Sequence, residues 1–333
     1  MRVERLWLTL NAPVKAAWQA LVQQAGLTPD TQVDYTVGIY DQGQLVATGS
    51  TYQNIIKLVA VVDSAQHQNL LATIMTALWE RLTTAGYEQA YVYTKPCTAT
   101  YFQALGFKVI AQTATIALLE RGYPDLAAYQ DLLRQQRLTS RRAGAIVMNA
   151  NPFTNGHRYL VQQALLTCDV VYVLVVSEDR SLYDTTTRLA MVRQGLADLS
   201  TQVVVLPTAH YLVSDATFPA YFLKDQANLA VAAEQAQLDA QLFLTQIVPI
   251  LAIKRRFVGE EPTSAVTALY NQQMANAFTG QLDLQVMPRL QVGSQMVSAT
   301  TVRRALAAND WSQIQALVPA TTYQIMRSVN HGK

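Results

Sequence analysis

Asn149-Ala150-Asn151-Pro152-Phe153-Thr154-Asn155-Gly156-His157-Arg158 begins where the apolar run Ala145 to Asn149 ends, and it leads into helical periodicity over Gly156 to Leu166. A strand that turns directly into a helix is the unit of a parallel sheet, and phosphorylated ligands bind outside the carboxyl ends of such strands. The free N–H groups of a helix start favour an anion there. Gly156 lets a nucleotide approach the backbone without a Cβ in the way. Thr154 adds a hydroxyl, and the His157 imidazole can hydrogen-bond a phosphate oxygen. Downstream the alternation continues. Strands are expected at Val170–Val176, Val203–Leu206, Arg256–Val258 and Leu284–Met287. Helices are expected at Thr185–Leu199, Phe218–Asp225, Asn228–Thr245 and Ala265–Phe278. Apolar strands alternating with helices predict a parallel sheet covered on both faces.

Upstream the pattern changes. Tyr35–Tyr40 and Leu45–Ser50 flank the turn Asp41-Gln42-Gly43-Gln44, a hairpin signal. Ile55–Val62 is dense in β-branched residues, and Leu70, Leu71, Ile74, Leu78 and Leu82 then recur at helical spacing. Tyr91–Thr94 and Lys108–Leu119 read as further strands around a short helix that ends in Leu105-Gly106-Phe107. The first 120 residues thus read as strands around one main helix. Pro124 opens a polar helix, Asp125–Arg137, and the basic cluster Thr139-Ser140-Arg141-Arg142 after it is expected to be a solvated linker. The expected division is a mixed α/β domain over 1–121, a linker helix over 122–143, and a Rossmann-like parallel α/β domain over 144–333.

Composition narrows the function classes. Half of the 333 residues are apolar and 14% are charged, which excludes a disordered chain. There are 12 basic and 10 acidic residues through Ala143, and 13 of each after it. Neither half carries the basic excess of a nucleic-acid or anionic-lipid binder, so neither partner is expected. Cys97 and Cys168 stand far apart and suit a reducing compartment. His67, His157, His210 and His331 have no zinc-ligand spacing, so no metal cluster made by the protein itself is expected. MRVERLWLTL lacks a secretory pattern, and the longest apolar run is too short to span a bilayer. These features together lead to the expectation of a cytoplasmic protein.

A second motif lies far downstream. Val297-Ser298-Ala299-Thr300-Thr301-Val302-Arg303 again puts small hydroxyls at a helix start, with Arg303 one turn in. Either motif alone would suit an ordinary capped helix. Thr154-Asn155-Gly156-His157 resembles the T/H-x-G-H motif of the nucleotidylyltransferase superfamily, and the second stretch resembles its I-S-S-T-x-V-R motif. The resemblance narrows to the citrate lyase ligase family. It is carried by Asn149 to Leu160, Val176-Ser177-Glu178-Asp179 with Arg188, and Ser214 to Phe222. Arg256-Phe257-Val258-Gly259-Glu260-Glu261-Pro262, with Tyr270-Asn271, completes it. These stretches run in family order over residues 143 to 325.

The resemblance implies a two-step ligation with ATP and Mg²⁺. Acetate attacks the α-phosphorus, giving acetyl-adenylate and pyrophosphate. The thiol of the phosphoribosyl dephospho-CoA group on the citrate lyase acyl carrier subunit then takes the acetyl group and releases AMP. It implies catalytic roles for His157, Thr154 and Arg303. Asn151, Phe153, Gly156, Ser298, Thr300, Arg188, Gly259 and Glu260 are the expected ATP and phosphate contacts. Lys224, Phe218 and Tyr221 are candidates for the acyl substrate, with Phe153 and Asn151 near them. Glu178 and Asp179 are candidates for ribose or Mg²⁺, Glu261 for ligand contact, and His210 is expected to be structural.

Residues 33 to 119 resemble the GNAT acetyltransferase fold. Where that family has a glycine-rich pyrophosphate loop, this chain has Gln66-His67-Gln68-Asn69-Leu70-Leu71-Ala72, without the glycines. Side chains at Asn69 and Leu70 obstruct the backbone approach to phosphate. Holding the CoA-like arm suits this half better than independent acetyl-CoA-dependent transfer, with a purely structural role as the third alternative. The alternatives are a tRNA cytidine acetate ligase and a small-molecule adenylyltransferase. A regulator without chemistry would not need Thr154, His157 and Arg303 intact.

Overall fold

Two apolar sheets organise the chain in a computed structural model, which describes residues 2–62, 69–178, 181–214, 217, 228–260, 264–293 and 295–331. The chain divides into two compact units, Met1–Ala128 and Tyr129–Lys333.

The first unit contains β1 (Val3–Arg5), α1 (Ala12–Gln24), β2 (Tyr35–Asp41), β3 (Gln44–Tyr52), β4 (Ile55–Val61), α2 (Leu70–Thr84), β5 (Gln89–Thr94), α3 (Ala99–Gln103), β6 (Lys108–Gln112) and β7 (Ala117–Gly122). Its sheet runs β1-β2-β3-β4-β5-β7-β6. β4 and β5 are parallel and pair only at Ile55–Tyr91 and Ile56–Val92, whereas the other neighbours are antiparallel. Ile74 and Leu78 of α2 bury against Val37, Ala47, Ile56 and Val92. This is a mixed α/β arrangement with one parallel pair among antiparallel neighbours. α1 adds a helix that the periodicity reading lacked. Asn11 caps it by accepting from the Val14 N–H at 3.1 Å, and Trp18 and Val22 are buried beneath it. The Gln66–Gln68 part of the phosphate-loop stretch lies outside the described residues.

Helix α4 (Leu126–Gln135) falls within the stretch expected as a linker helix, and Arg141 and Arg142 of the basic cluster after it are exposed. Leu133 is buried, and Tyr129 stacks on Tyr211 with 5.1 Å between ring centroids. The Tyr129 hydroxyl donates to Pro207 O at 3.0 Å.

The second unit continues with β8 (Ala143–Met148), α5 (Asn155–Leu165), β9 (Val170–Val175), α6 (Thr185–Gly195), β10 (Val203–Pro207), α7 (Leu229–Leu242), α8 (Val248–Leu251), β11 (Ile253–Gly259), α9 (Ala265–Phe278) and β12 (Asp283–Met287). The pair β13 (Gln291–Val292) and β14 (Gln295–Met296) follows, then α10 (Ala299–Ala307), α11 (Trp311–Leu317) and α12 (Ala320–His331). The five-stranded sheet is ordered β10-β9-β8-β11-β12, and every pair is parallel. The order reverses between β8 and β11, which opens a crevice at their carboxyl ends. Ile146, Val173 and Phe257 meet Val161 of α5, Val192 of α6 and Val302 of α10 on one face.

Residue alternation turns Arg256, next to Phe257, to the opposite face. Its guanidinium is buried and lies 4.3 Å from the Phe243 ring centroid. Asp239 is also buried there. It accepts from Val213 N at 2.7 Å, Thr217 Oγ1 at 2.8 Å and Tyr270 Oη at 2.6 Å. Burial raises the Asp239 carboxyl's pKa, while those bonds and the Arg256 charge oppose the rise. β11 starts three residues earlier than Arg256, where the run Lys254-Arg255-Arg256 hides a strand. Removing one of two buried opposite charges costs roughly 3–5 kcal/mol. Asp239→Ala should therefore lower the urea unfolding free energy of the full chain by about that much. A change below about 1 kcal/mol would contradict this account of the network.

Candidate active site

Both sequence motifs become helix starts at the crevice. Thr154 caps α5, and its hydroxyl accepts from the His157 N–H at 3.3 Å. Ser298 caps α10 in the same way, accepting from Thr301 N at 3.1 Å. The fourth N–H of each helix finds the cap carbonyl: Arg158 N bonds Thr154 O, and Val302 N bonds Ser298 O. This leaves the first two amides of each helix, Asn155 and Gly156, Ala299 and Thr300, without an intrahelical acceptor. A Cβ on Gly156 would come within 3.2 Å of Val297 O, so the two starts adjoin. Arg303 ties them together, donating to Asn151 O at 2.6 Å and to Thr300 Oγ1 at 3.0 Å. Two positive helix ends and a guanidinium thus share one place, which suits a polyanion.

The state of His157 follows from its bonds. Its Nδ1 accepts the Thr154 backbone N–H at 3.0 Å. A backbone amide only donates, so Nδ1 carries the lone pair and the neutral ring holds its proton on Nε2. Burial, then the charges of Arg289 and Arg303, lower the pKa to about 4. At neutral pH His157 is an uncharged donor. Phe153 stacks beneath it, 5.7 Å between centroids, and is itself fully buried. That ring packs on Gly195 of α6, where a Cβ would lie 2.6 Å from it. Phe153 therefore supports the imidazole from the core.

Arg289 carries no motif signal, since it stands alone between β12 and β13. Its Nε donates to Glu260 O at 2.6 Å, and its charge is felt by His157. Arg289 thus brings the end of β11 toward the Thr154 helix. Glu260 is exposed at that edge, and its N–H bonds Met287 O at 2.9 Å. A Cβ on Gly259 would meet nothing within 4 Å. Asn151 is buried, and its Oδ1 accepts from Tyr183 N at 3.3 Å.

Arg188, expected at the phosphates, has another place. It is fully buried, and all three guanidinium nitrogens donate within the protein. Nε bonds Tyr183 O at 3.0 Å, Nη1 bonds Asn149 O at 2.9 Å, and Nη2 bonds Glu178 O at 2.8 Å. It fastens the ends of β8 and β9 beneath the site, because their terminal carbonyls need donors that the sheet no longer supplies. Asp179, Phe218, Tyr221, Lys224 and Glu261 lie outside the described residues. Among the described residues no three His, Cys, Asp or Glu side chains group as metal ligands. No described helix is long and apolar enough to cross a membrane.

The family model of the citrate lyase ligase C-terminal domain matches residues 143–326. Citrate (pro-3S)-lyase ligase of Haemophilus influenzae is 37% identical over 93% of this chain and 94% of its own. The chain belongs to the citrate lyase ligase family. The Klebsiella pneumoniae member of that family is 34% identical over 97% of this chain and 96% of its own. A tRNA(Met) cytidine acetate ligase of Levilactobacillus brevis is 26% identical over 56% of this chain and 58% of its own. The ligase family match therefore takes in both compact units, whereas the tRNA ligase match covers little more than half of the chain.

The lowered pKa of His157 has a defined effect on stability. A base whose folded pKa lies below its ordinary value of about 6.5 stabilises the fold fully above that value. That contribution falls as pH drops through 6.5 toward the folded value of about 4. Wild type should lose more stability than His157→Gln between pH 6.5 and 4, as read by urea titrations at each pH. Equal losses would show that His157 keeps an ordinary pKa.

Proposed function

We propose that the protein activates citrate lyase by acetylating the thiol of the phosphoribosyl dephospho-CoA group on its acyl carrier subunit, with acetate and ATP as the other substrates. The single observation that carries the ATP site is the meeting of two helix starts, each with two open amides, around Gly156 and Arg303. The donor set of amides, Nε2–H and guanidinium groups fits a triphosphate. Mg²⁺ would enter with the nucleotide and neutralise part of the phosphate charge.

In the first step an acetate oxygen forms a bond to the α-phosphorus, and the bond to pyrophosphate breaks. Acetate is already an anion, so no general base is required. The protein must bring two anions together and offset developing charge, which is positioning and electrostatics. The helix starts and Arg303 hold phosphate oxygens, and Arg289 adds a second cation. The His157 Nε2–H donates to the α-phosphate without bringing a charge of its own. Asn151 and Lys224 are proposed to orient the carboxylate, and Phe218 and Tyr221 to enclose the methyl group. In the second step the carrier thiol attacks the acetyl carbonyl and AMP leaves. Relatives matched over more than nine-tenths of the chain favour citrate lyase over tRNA as the acceptor.

Pyrophosphate release from ATP, measured with and without acetate, tests the reading. Release should depend on acetate. His157→Ala should reduce it by roughly 10²–10³-fold, like loss of one preorganised donor. A variant within threefold of wild type would remove His157 from the step. A small apolar pocket discriminates weakly against an added methylene, so propionate should react with roughly 10–200-fold lower efficiency. Nicotinamide mononucleotide or phosphopantetheine reacting in place of acetate would move the assignment to an adenylyltransferase.

A further inference from the structure

The thiol step needs a proton acceptor that the phosphate site does not supply. An ordinary thiol has a pKa of about 8.5, so it is mainly protonated at neutral pH. His157 cannot take that proton, because its Nδ1 is occupied and the ring stays neutral down to about pH 4.

The loop after β10 presents another imidazole. Thr208 is buried, and its hydroxyl accepts from Ser177 N at 3.0 Å. Tyr211, Leu212, Val213 and Ser214 are also buried, and the Ser214 hydroxyl donates to His210 O at 2.8 Å. Ala209 and Val213 have φ of +49° and +48°. A β-branched residue in that region is strained, and here the strain is held by Asp239, which accepts the Val213 N–H. Strain of this kind persists only where the surroundings over-determine it. In this rigid turn the His210 side chain is 48% exposed, and its Nδ1 lies 3.9 Å from Glu178 Oε1. The Glu178 backbone is fixed in turn by Arg188.

His210 and Glu178 therefore stand just beyond the carboxyl ends of β10 and β9. Met148, Val175 and Pro207 lie in register across β8, β9 and β10, so this is the same edge of the sheet as the Thr154 motif. Strands are spaced about 4.8 Å apart, which puts β10 on the order of 10 Å from β8.

We propose that His210, beside Glu178, is the general base that accepts the proton of the carrier thiol as its sulfur attacks the acetyl carbonyl. This rests on the acetyl-adenylate reading above. The C–S bond forms and the carbonyl–phosphate oxygen bond breaks. AMP leaves with the electron pair on its phosphate oxygen, and the proton passes from sulfur to His210 and then to water. The Glu178 carboxylate lies beside the ring, 3.9 Å from its Nδ1.

The two half-reactions separate in the full-length protein. Acetate-dependent ATP–pyrophosphate exchange reads the first, and acetylation of the thiol-bearing carrier subunit reads the second. His210→Gln should keep exchange within threefold of wild type and slow acetylation roughly 10²-fold at pH 7, the lower end of general-base effects. The deficit should shrink toward pH 9, where the thiol ionises unaided. Acetylation by His210→Gln within threefold of wild type, a deficit constant from pH 7 to 9, or equal loss of both half-reactions would each overturn the assignment. Absence of exchange in the wild type would instead remove the acetyl-adenylate reading, and this inference with it.

Discussion

Gly156 lies against Val297 O, and that close approach is the constraint on which the rest of the site depends. It lets two helix N-termini, more than 140 residues apart in sequence, face one volume. Each cap uses its hydroxyl on the third amide and its carbonyl on the fourth, which leaves the first two amides at each end without a helical acceptor. Burial first, and then the charges of Arg289 and Arg303, keep His157 neutral, so its ring keeps a donor at Nε2. The site is thus electropositive through backbone dipoles and guanidinium groups that need no change of protonation state.

A second level of order lies beneath this edge. Arg188 gathers carbonyls from the ends of β8 and β9, and Phe153 seats the imidazole on Gly195. On the other face, Asp239 holds the turn that exposes His210. Both buried charges act through backbone they fix, which makes them positioning residues. The two ends of the proposed reaction, phosphate binding and thiol attack, are therefore built on one rigid edge.

Much of this was legible in the sequence because it is local. The strand-turn-helix at Ala145–Leu166 rests on apolar run, cap and glycine within twenty residues, and α5 and α10 form where Thr154 and Ser298 announce them. What depends on tertiary partners was not legible. Arg188 looks like a phosphate ligand until the carbonyls around it are known. The strand expected from Arg256 starts at Ile253, and the burial of Arg256 depends on Phe243 and the Asp239 charge, which lie elsewhere in the sequence. Arg289 had no motif at all, and only the fold brings its charge to His157.

The central claim is that the paired helix starts form the nucleotide-phosphate site. Amide chemical shifts of the full-length protein, recorded as a non-hydrolysable ATP analogue is added, test it most directly. The amides of Asn155, Gly156, Ala299 and Thr300 should shift together and saturate at one ligand concentration. Saturable binding that leaves all four unmoved would contradict the account.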